Sequence, residues 1–202
     1  MIRYLMDRAN MITALGMLFG MASVLFSFSA RWEAAVLCML LAVVCDVFDG
    51  MVARKTRKTH DPMLSQMGVQ FDSLADLVHS GVAPAFFVYN YTGQGVLSGV
   101  LLVMIVVTVF LRLAYYNCNG LSETGYFYGL PVFYSPMILA VVYGVVAWTE
   151  AGWLVAVYAV LVSLLHVLSA LRIRKLTSGV GFYVFLSCLL GEIAVYLVLS
   201  SI

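Results

Sequence analysis

The chain has 202 residues, of which 63% are hydrophobic and 10% charged. Soluble domains run near roughly 45–50% apolar and 25% charged, so a soluble globule is excluded and the chain reads as one integral membrane domain, 1–202. Its net charge of +1 points to no nucleic-acid partner.

The start, Met1–Arg8, sets Ile2, Leu5 and Met6 beside Arg3, Asp7 and Arg8. It reads either as a short helix on the membrane surface or as a frayed end. A full-length apolar run follows, which is not the pattern of a cleavable signal. A membrane span needs about 20 apolar residues. Runs of that kind predict spans at 9–30, 34–54, 68–89, 96–117, 132–149, 151–171 and 179–201. Only a tight turn separates the fifth and sixth, as in a helical hairpin. The last carries Glu192 and reads either as a core span or as one peripheral to the core. Cys38, Cys45, Cys118 and Cys188 lack metal-ligand spacing and lie in or beside apolar segments, as membrane packing residues do. No internal repeat is visible.

Alternating the breaks between two sides puts Arg3, Arg8, Arg54, Lys55, Arg57, Lys58, Arg112, Arg172, Arg174 and Lys175 together. Of the 11 Lys and Arg residues, only Arg31 falls opposite. The Lys/Arg-rich side is the cytoplasmic one. The chain is then a multi-pass protein of the cytoplasmic membrane with its amino terminus inside.

Four of the ten acidic residues, Asp46, Asp49, Asp72 and Asp76, interrupt apolar runs. One charge at the centre of a membrane helix costs roughly 2.5–3.5 kcal/mol, so the group needs compensation. Asp46 and Asp49 are spaced i, i+3 near the end of the second span. Asp72 and Asp76 are spaced i, i+4 near the start of the third. Either spacing puts two carboxylates on one helix face, and a short basic connection makes the two helices antiparallel neighbours. Four carboxylates balance two divalent cations, and such a pair is a clamp for displacement at phosphorus. Magnesium or manganese suits an all-oxygen site. Gly50, Ala53 and Gly68 lie within a turn of the acids. They either admit a bulky ligand or serve helix packing.

Other polar residues keep two readings each. Lys55, Arg57 and Lys58 suit topology and anionic lipid, whereas Arg54 ends the aspartate-bearing helix and can point a guanidinium at a phosphate. Arg112 either snorkels from a helix end or holds a carboxylate or lipid phosphate. Asn117 and Asn119 read as loop residues, and His79, sharing the face of Asp76, either as a satisfied helix histidine or as a catalytic one. His60 has no assigned role. His166 and Glu192 pair with each other or line a dimer seam.

The pattern Asp46-x-x-Asp49-Gly50-x-x-Ala53-Arg54 followed by Gly68-x-x-x-Asp72-x-x-x-Asp76 resembles the signature of the CDP-alcohol phosphotransferases and keeps every fixed residue of it. Its connection, 55–67, is longer than the family's usual one. Residues 68–84, then Arg112-Leu-Ala-Tyr-Tyr-Asn117 and Tyr128-Gly-Leu-Pro131, are most similar to the bacterial CDP-diacylglycerol–serine O-phosphatidyltransferases. Tyr115 stands where many members carry a second Arg, and His79 where Ser is common.

The resemblance implies a six-helix core, here with an extra C-terminal span, a homodimer and a cavity open to the cytoplasm. It implies Asp46, Asp49, Asp72 and Asp76 as ligands of two Mg2+ or Mn2+ ions. Asp46, Gly50, Ala53, Gly68 and Asp72 would border the CDP moiety, and Asp76 would be the general base. The substrates implied are CDP-diacylglycerol and L-serine, with membrane lipid as surroundings. Arg54 and Arg112 are the expected phosphate or acceptor contacts. Two alternatives stand: the same chemistry on glycerol phosphate or inositol phosphate, and a cation transporter with an acidic intramembrane site.

Overall fold

The computed structural model describes residues 2–56, 61–121, 125–175 and 180–201. Arg57, Lys58 and His60 of the basic connection lie outside the described residues. A one-turn helix, α1 (Ile2–Leu5), precedes α2 (Arg8–Phe28). The Asp7 carboxylate accepts from the N–H groups of Ala9 and Asn10 and so caps α2, satisfying donors that a helix start leaves open. α3 (Trp32–Thr56) returns antiparallel and packs along α2.

α4 (Pro62–Asp76) begins on a second aspartate cap, with the Asp61 carboxylate accepting from the N–H groups of Met63 and Leu64 at 3.0 and 3.3 Å. Pro62 fills the first helical position, where its missing N–H costs nothing. A π-helical turn, Leu77–Val82, joins α4 to α5 (Ala83–Tyr91) without a break. The cause is local. Pro84 has no N–H to give and its ring crowds the carbonyl one α-turn back. Widening the turn relieves that clash, and Ala83 N–H reaches the carbonyl of Val78 instead.

The remaining helices are α6 (Val96–Asn119), α7 (Tyr134–Thr149), α8 (Trp153–Val167) and α9 (Val180–Leu199). Among the described residues, four helices, α2, α3, α6 and α9, are long and apolar enough to cross a membrane. Seven such spans were expected. The third expected run is divided among α4, the π-turn and α5. The fifth and sixth shorten to 16 and 15 helical residues, about 22–24 Å of helix against a hydrocarbon core of about 30 Å. The result is a helical protein whose long apolar helices fit a polytopic membrane protein.

The helices are joined at one place by a small ribbon. β1 (Tyr126–Tyr128) pairs antiparallel with β2 (Arg172–Arg174), Phe127 opposite Ile173. It ties the α6–α7 connection to the α8–α9 connection. Gly129 makes this possible. Its φ is +74°, and a Cβ there would stand 2.3 Å from the carbonyl oxygen of His166. Asn117 and Asn119 end α6 rather than lying in a loop, and Asn117 Nδ2 donates to Ser73 Oγ at 2.8 Å, linking α6 to α4.

The core runs through Met39, Leu40 and Val43 of α3, Phe87 of α5, Ile105 and Val109 of α6, and Leu139 of α7, all fully buried. α9 is the least buried of the four long apolar helices. It packs on α3 and α7 through Phe185, Leu189, Ile193 and Tyr196. Glu192 and His166 do not pair: His166 Nε2 lies 2.8 Å from Ser135 Oγ. At the end of the bundle that holds Trp32, the Tyr143 hydroxyl donates to Glu33 at 2.6 Å, among the rings of Trp32, Phe87 and Tyr91.

Two glycines let α2 approach its neighbours. A Cβ at Gly16 would meet Cys45 Cβ at 3.0 Å, and one at Gly20 would meet His79 Cβ and Cα at 2.8 and 2.9 Å. Overpacking of this kind costs about 1–3 kcal/mol. Gly20→Ala should therefore lower the thermal midpoint in detergent, while Gly99→Ala, with nothing within 4 Å of its Cβ, should not. Equal behaviour of the two variants would contradict the close approach of α2 to the π-turn.

Candidate active site

The C-terminal turns of α3 and of α4 border a cavity of about 530 Å³, within the range of small-molecule sites. Asp46, Asp49, Asp72 and Asp76 line one wall, Arg112 and Tyr116 of α6 another. Arg54, Lys55 and Lys175 add cations, and Val132, Phe133, Phe182 and Phe185 make an apolar side. The cavity thus has a charged half and a greasy half, and α9 supplies part of the greasy half.

The acids form two overlapping groups. Asp46, Asp49 and Asp72 each bring an oxygen within 4.8 Å of the others, and so do Asp46 and Asp76 together with a ring nitrogen of His79. Asp46 belongs to both. Helix periodicity explains the convergence, because positions 72, 76 and 79 recur on one face and 46 and 49 on another. Asp49 is buried and accepts a short hydrogen bond from the Thr13 hydroxyl of α2. Asp76 Oδ1 lies 3.2 Å from His79 Nε2 yet makes no hydrogen bond. Oxygen donors of like charge gathered in this way, one of them unsatisfied, suit a divalent cation. The cluster is able to coordinate one.

Gly50 lines the cavity beneath Arg54, where an added Cβ would stand 3.3 Å from Arg54 Nη1. Ala53 and Gly68 are on the same two helices but are not among the lining residues. Arg54 itself is exposed. Arg112 does not snorkel. It is only 5% exposed, its Nε has no partner, and its guanidinium lies 5.6 Å from the ring centres of both Tyr116 and Phe127. A buried guanidinium with an open donor is a site for an anionic group. Tyr115 is exposed and faces a neighbouring cavity of about 230 Å³ that shares Arg112.

Several residues of the site were not marked by the sequence. Thr13 sits in an apolar run with no motif around it. Phe127 and Lys175 reach the cavity through the ribbon, and no periodicity announces a three-residue strand. Phe182 and Phe185 look like any aromatic residue of an apolar helix.

Comparison with known proteins follows the same residues. The family model for CDP-alcohol phosphatidyltransferases matches residues 6–120. The chain is 33% identical over 126 residues to the CDP-diacylglycerol–serine O-phosphatidyltransferase of Helicobacter pylori, covering 61% of this chain and 51% of that protein. It is 36% identical over 118 residues to the archaetidylserine synthase of Methanothermobacter thermautotrophicus, covering 56% and 47%. A CDP-diacylglycerol–serine O-phosphatidyltransferase of Methanocaldococcus jannaschii is 28% identical over 185 residues, covering 91% and 82%. The chain spans about half the length of the first two of these relatives.

Crowded carboxylates destabilise the ion-free protein, and an ion that binds only the folded state stabilises it, by about 2.7 kcal/mol at a hundred times its dissociation constant. Millimolar Mn2+ should therefore raise the thermal midpoint of the wild type. Asp46→Asn should raise the midpoint without metal and lose most of the response to Mn2+. An unchanged response in that variant would remove Asp46 from the ligand set.

Proposed function

The chain belongs to the CDP-alcohol phosphatidyltransferase family, and from that membership we propose that it transfers the phosphatidyl group of CDP-diacylglycerol to the hydroxyl of L-serine, releasing CMP. One observation carries the reading: Asp46, Asp49, Asp72 and Asp76 line the same cavity as the buried Arg112. Serine as acceptor is supported by the names of relatives and by the similarity of residues 68–84 and 112–117.

Asp46, Asp49, Asp72 and Asp76 would hold two divalent ions, Mg2+ or Mn2+. When bound, these supply positive charge to the diphosphate and to the departing CMP. Asp46, Gly50, Ala53, Gly68 and Asp72 would border the CDP moiety, with Gly50 giving it room. Arg54 at the cavity rim would meet a phosphate. The apolar side, with Phe182 and Phe185, would take the glycerol end of the lipid. Arg112 would hold the serine carboxylate through its planar fork. The serine oxygen attacks the phosphorus that carries diacylglycerol, the bond from that phosphorus to CMP breaks, and the hydroxyl proton passes to Asp76. A base within about 3 Å is what so weakly acidic a hydroxyl needs.

In this reading residues 1–202 form one catalytic domain. Its six-span core is α2, α3, the continuous run α4 to α5, α6, α7 and α8, with α9 as an added span. The cavity faces the cytoplasm, as the Lys/Arg distribution supports, and the protein works as a homodimer. A phosphorylated acceptor, glycerol phosphate or inositol phosphate, is the second reading. Lys175 and Lys55 at the cavity favour it, although both also suit a diphosphate.

The deciding assay is CMP release from CDP-diacylglycerol by purified protein with Mg2+ or Mn2+, offering each acceptor in turn. L-Serine should support turnover and the phosphorylated alcohols should not. Release only with glycerol phosphate or inositol phosphate would overturn serine and keep the chemistry. Arg112→Lys keeps the charge and loses the fork. A charge-assisted hydrogen bond is worth about 1.5–3 kcal/mol, so KM for serine should rise roughly ten- to a hundredfold while that for the lipid holds. Asp76→Asn should lower kcat by about 10²–10⁴ and leave lipid affinity, measured calorimetrically, far less changed. Equal loss of both would reduce Asp76 to a ligand.

A further inference from the structure

We propose that His79 is a nitrogen ligand of one of the two divalent ions, sharing it with Asp46 and Asp76. This rests on the aspartate site described above and adds a donor of a different kind to it.

Three observations converge on the imidazole. First, a ring nitrogen of His79 and one oxygen each of Asp46 and Asp76 lie within 4.8 Å of one another, and His79 also borders the crevice behind Asp46, Asp49 and Asp72. Second, His79 Nε2 and Asp76 Oδ1 are 3.2 Å apart, but that oxygen has no hydrogen-bond partner. The pair has the separation of a hydrogen bond without its direction. Neighbouring ligands of an octahedral ion with bonds of about 2.1–2.2 Å are about 3 Å apart, and neither points at the other. Third, the opposite ring nitrogen, Nδ1, lies 2.9 Å from Ser80 Oγ. With Nδ1–H donating to Ser80, the Nε2 lone pair is free. Ligating histidines are held this way, their second ring nitrogen donating to a fixed acceptor.

The surroundings keep the ring in place. His79 is 2% exposed and lies on the π-turn, against which Gly20 of α2 packs with no room for a Cβ. A π-turn inside a helix often marks a functional position. Here it sets His79 on the same side as Asp72 and Asp76.

An imidazole changes which ion the site prefers. Mg2+ favours oxygen ligands only, whereas transition ions accept nitrogen. His79 therefore biases this site toward Mn2+ over Mg2+. Asp46, which belongs to both groups of ligands, would then serve a mixed nitrogen–oxygen position and an all-oxygen position with Asp49 and Asp72.

The test is pulsed electron paramagnetic resonance on the purified full chain loaded with Mn2+ alone. Nitrogen coupling to bound Mn2+ is expected in the wild type, and it should change to the 15N pattern when the protein carries 15N-histidine. His60→Ala should keep the signal and His79→Gln should lose it. The ratio of Mn2+ to Mg2+ affinity should fall about tenfold or more in His79→Gln, in line with the loss of a ligand or its support. The isotope experiment uses unaltered protein, so it stands even where His79→Gln fails to fold. Bound Mn2+ without nitrogen coupling overturns the role of His79 and leaves the aspartate site in place. Failure to bind Mn2+ at all overturns both.

Discussion

Carboxylates held together inside an apolar bundle repel one another, and the rest of this structure depends on holding them there. Two unit charges about 4 Å apart interact by about 4 kcal/mol at an effective dielectric of 20. No side-chain preference places four such groups in one cluster. Close helix packing does it: α2 against α3, with Gly16 admitting Cys45, and α2 against the π-turn, with Gly20 admitting His79. Thr13 then gives Asp49 a hydroxyl donor from the same helix. The packing energy of an extended apolar core offsets the cost of gathering these acids, as is common where function requires a charge to be desolvated.

The same geometry separates the tasks of the cavity. Its acids lie on α3 and α4, with Asp49 buried. Its buried cation, Arg112, comes from α6 and lies near the rings of Tyr116 and Phe127, an arrangement that favours a guanidinium. Its apolar side comes from α9 and the segment after the ribbon. The ribbon joins the two connections that carry Phe127 and Lys175. Gly129 lets that ribbon sit against the end of α8. Arg112 and the aromatic residues of α9 thus come from elements other than the acid-bearing α3 and α4, whereas Arg54 and Lys55 share α3 with Asp46 and Asp49.

Much of this was legible in the sequence. The i, i+3 and i, i+4 spacings of the aspartates carried their shared faces directly, and the apolar runs located α2, α3, α6 and α9 to within a few residues. The run around Pro84 was less clear. A proline in an apolar stretch shows where hydrogen bonding fails, but not that the helix continues by widening its turn. The ribbon was invisible because three-residue strands have no periodicity and are made by the pairing of two connections distant in sequence. Arg112 was ambiguous for a related reason. Whether a helix-end arginine snorkels or turns inward depends on partners such as Phe127, which only the fold brings near. His79 shared a face with Asp76 in the sequence, yet its contact with Asp76 and Ser80 required the π-turn to be seen.

The central claim is that the four aspartates form one centre for two divalent ions. Equilibrium titration of the purified chain with Mn2+, reading free ion by its six-line resonance, tests this most directly. The account predicts two ions bound per chain, with the bound pair's signal broadened by their proximity, and loss of that pair in Asp46→Asn. A single ion per chain, or a pair that persists without Asp46, would contradict it.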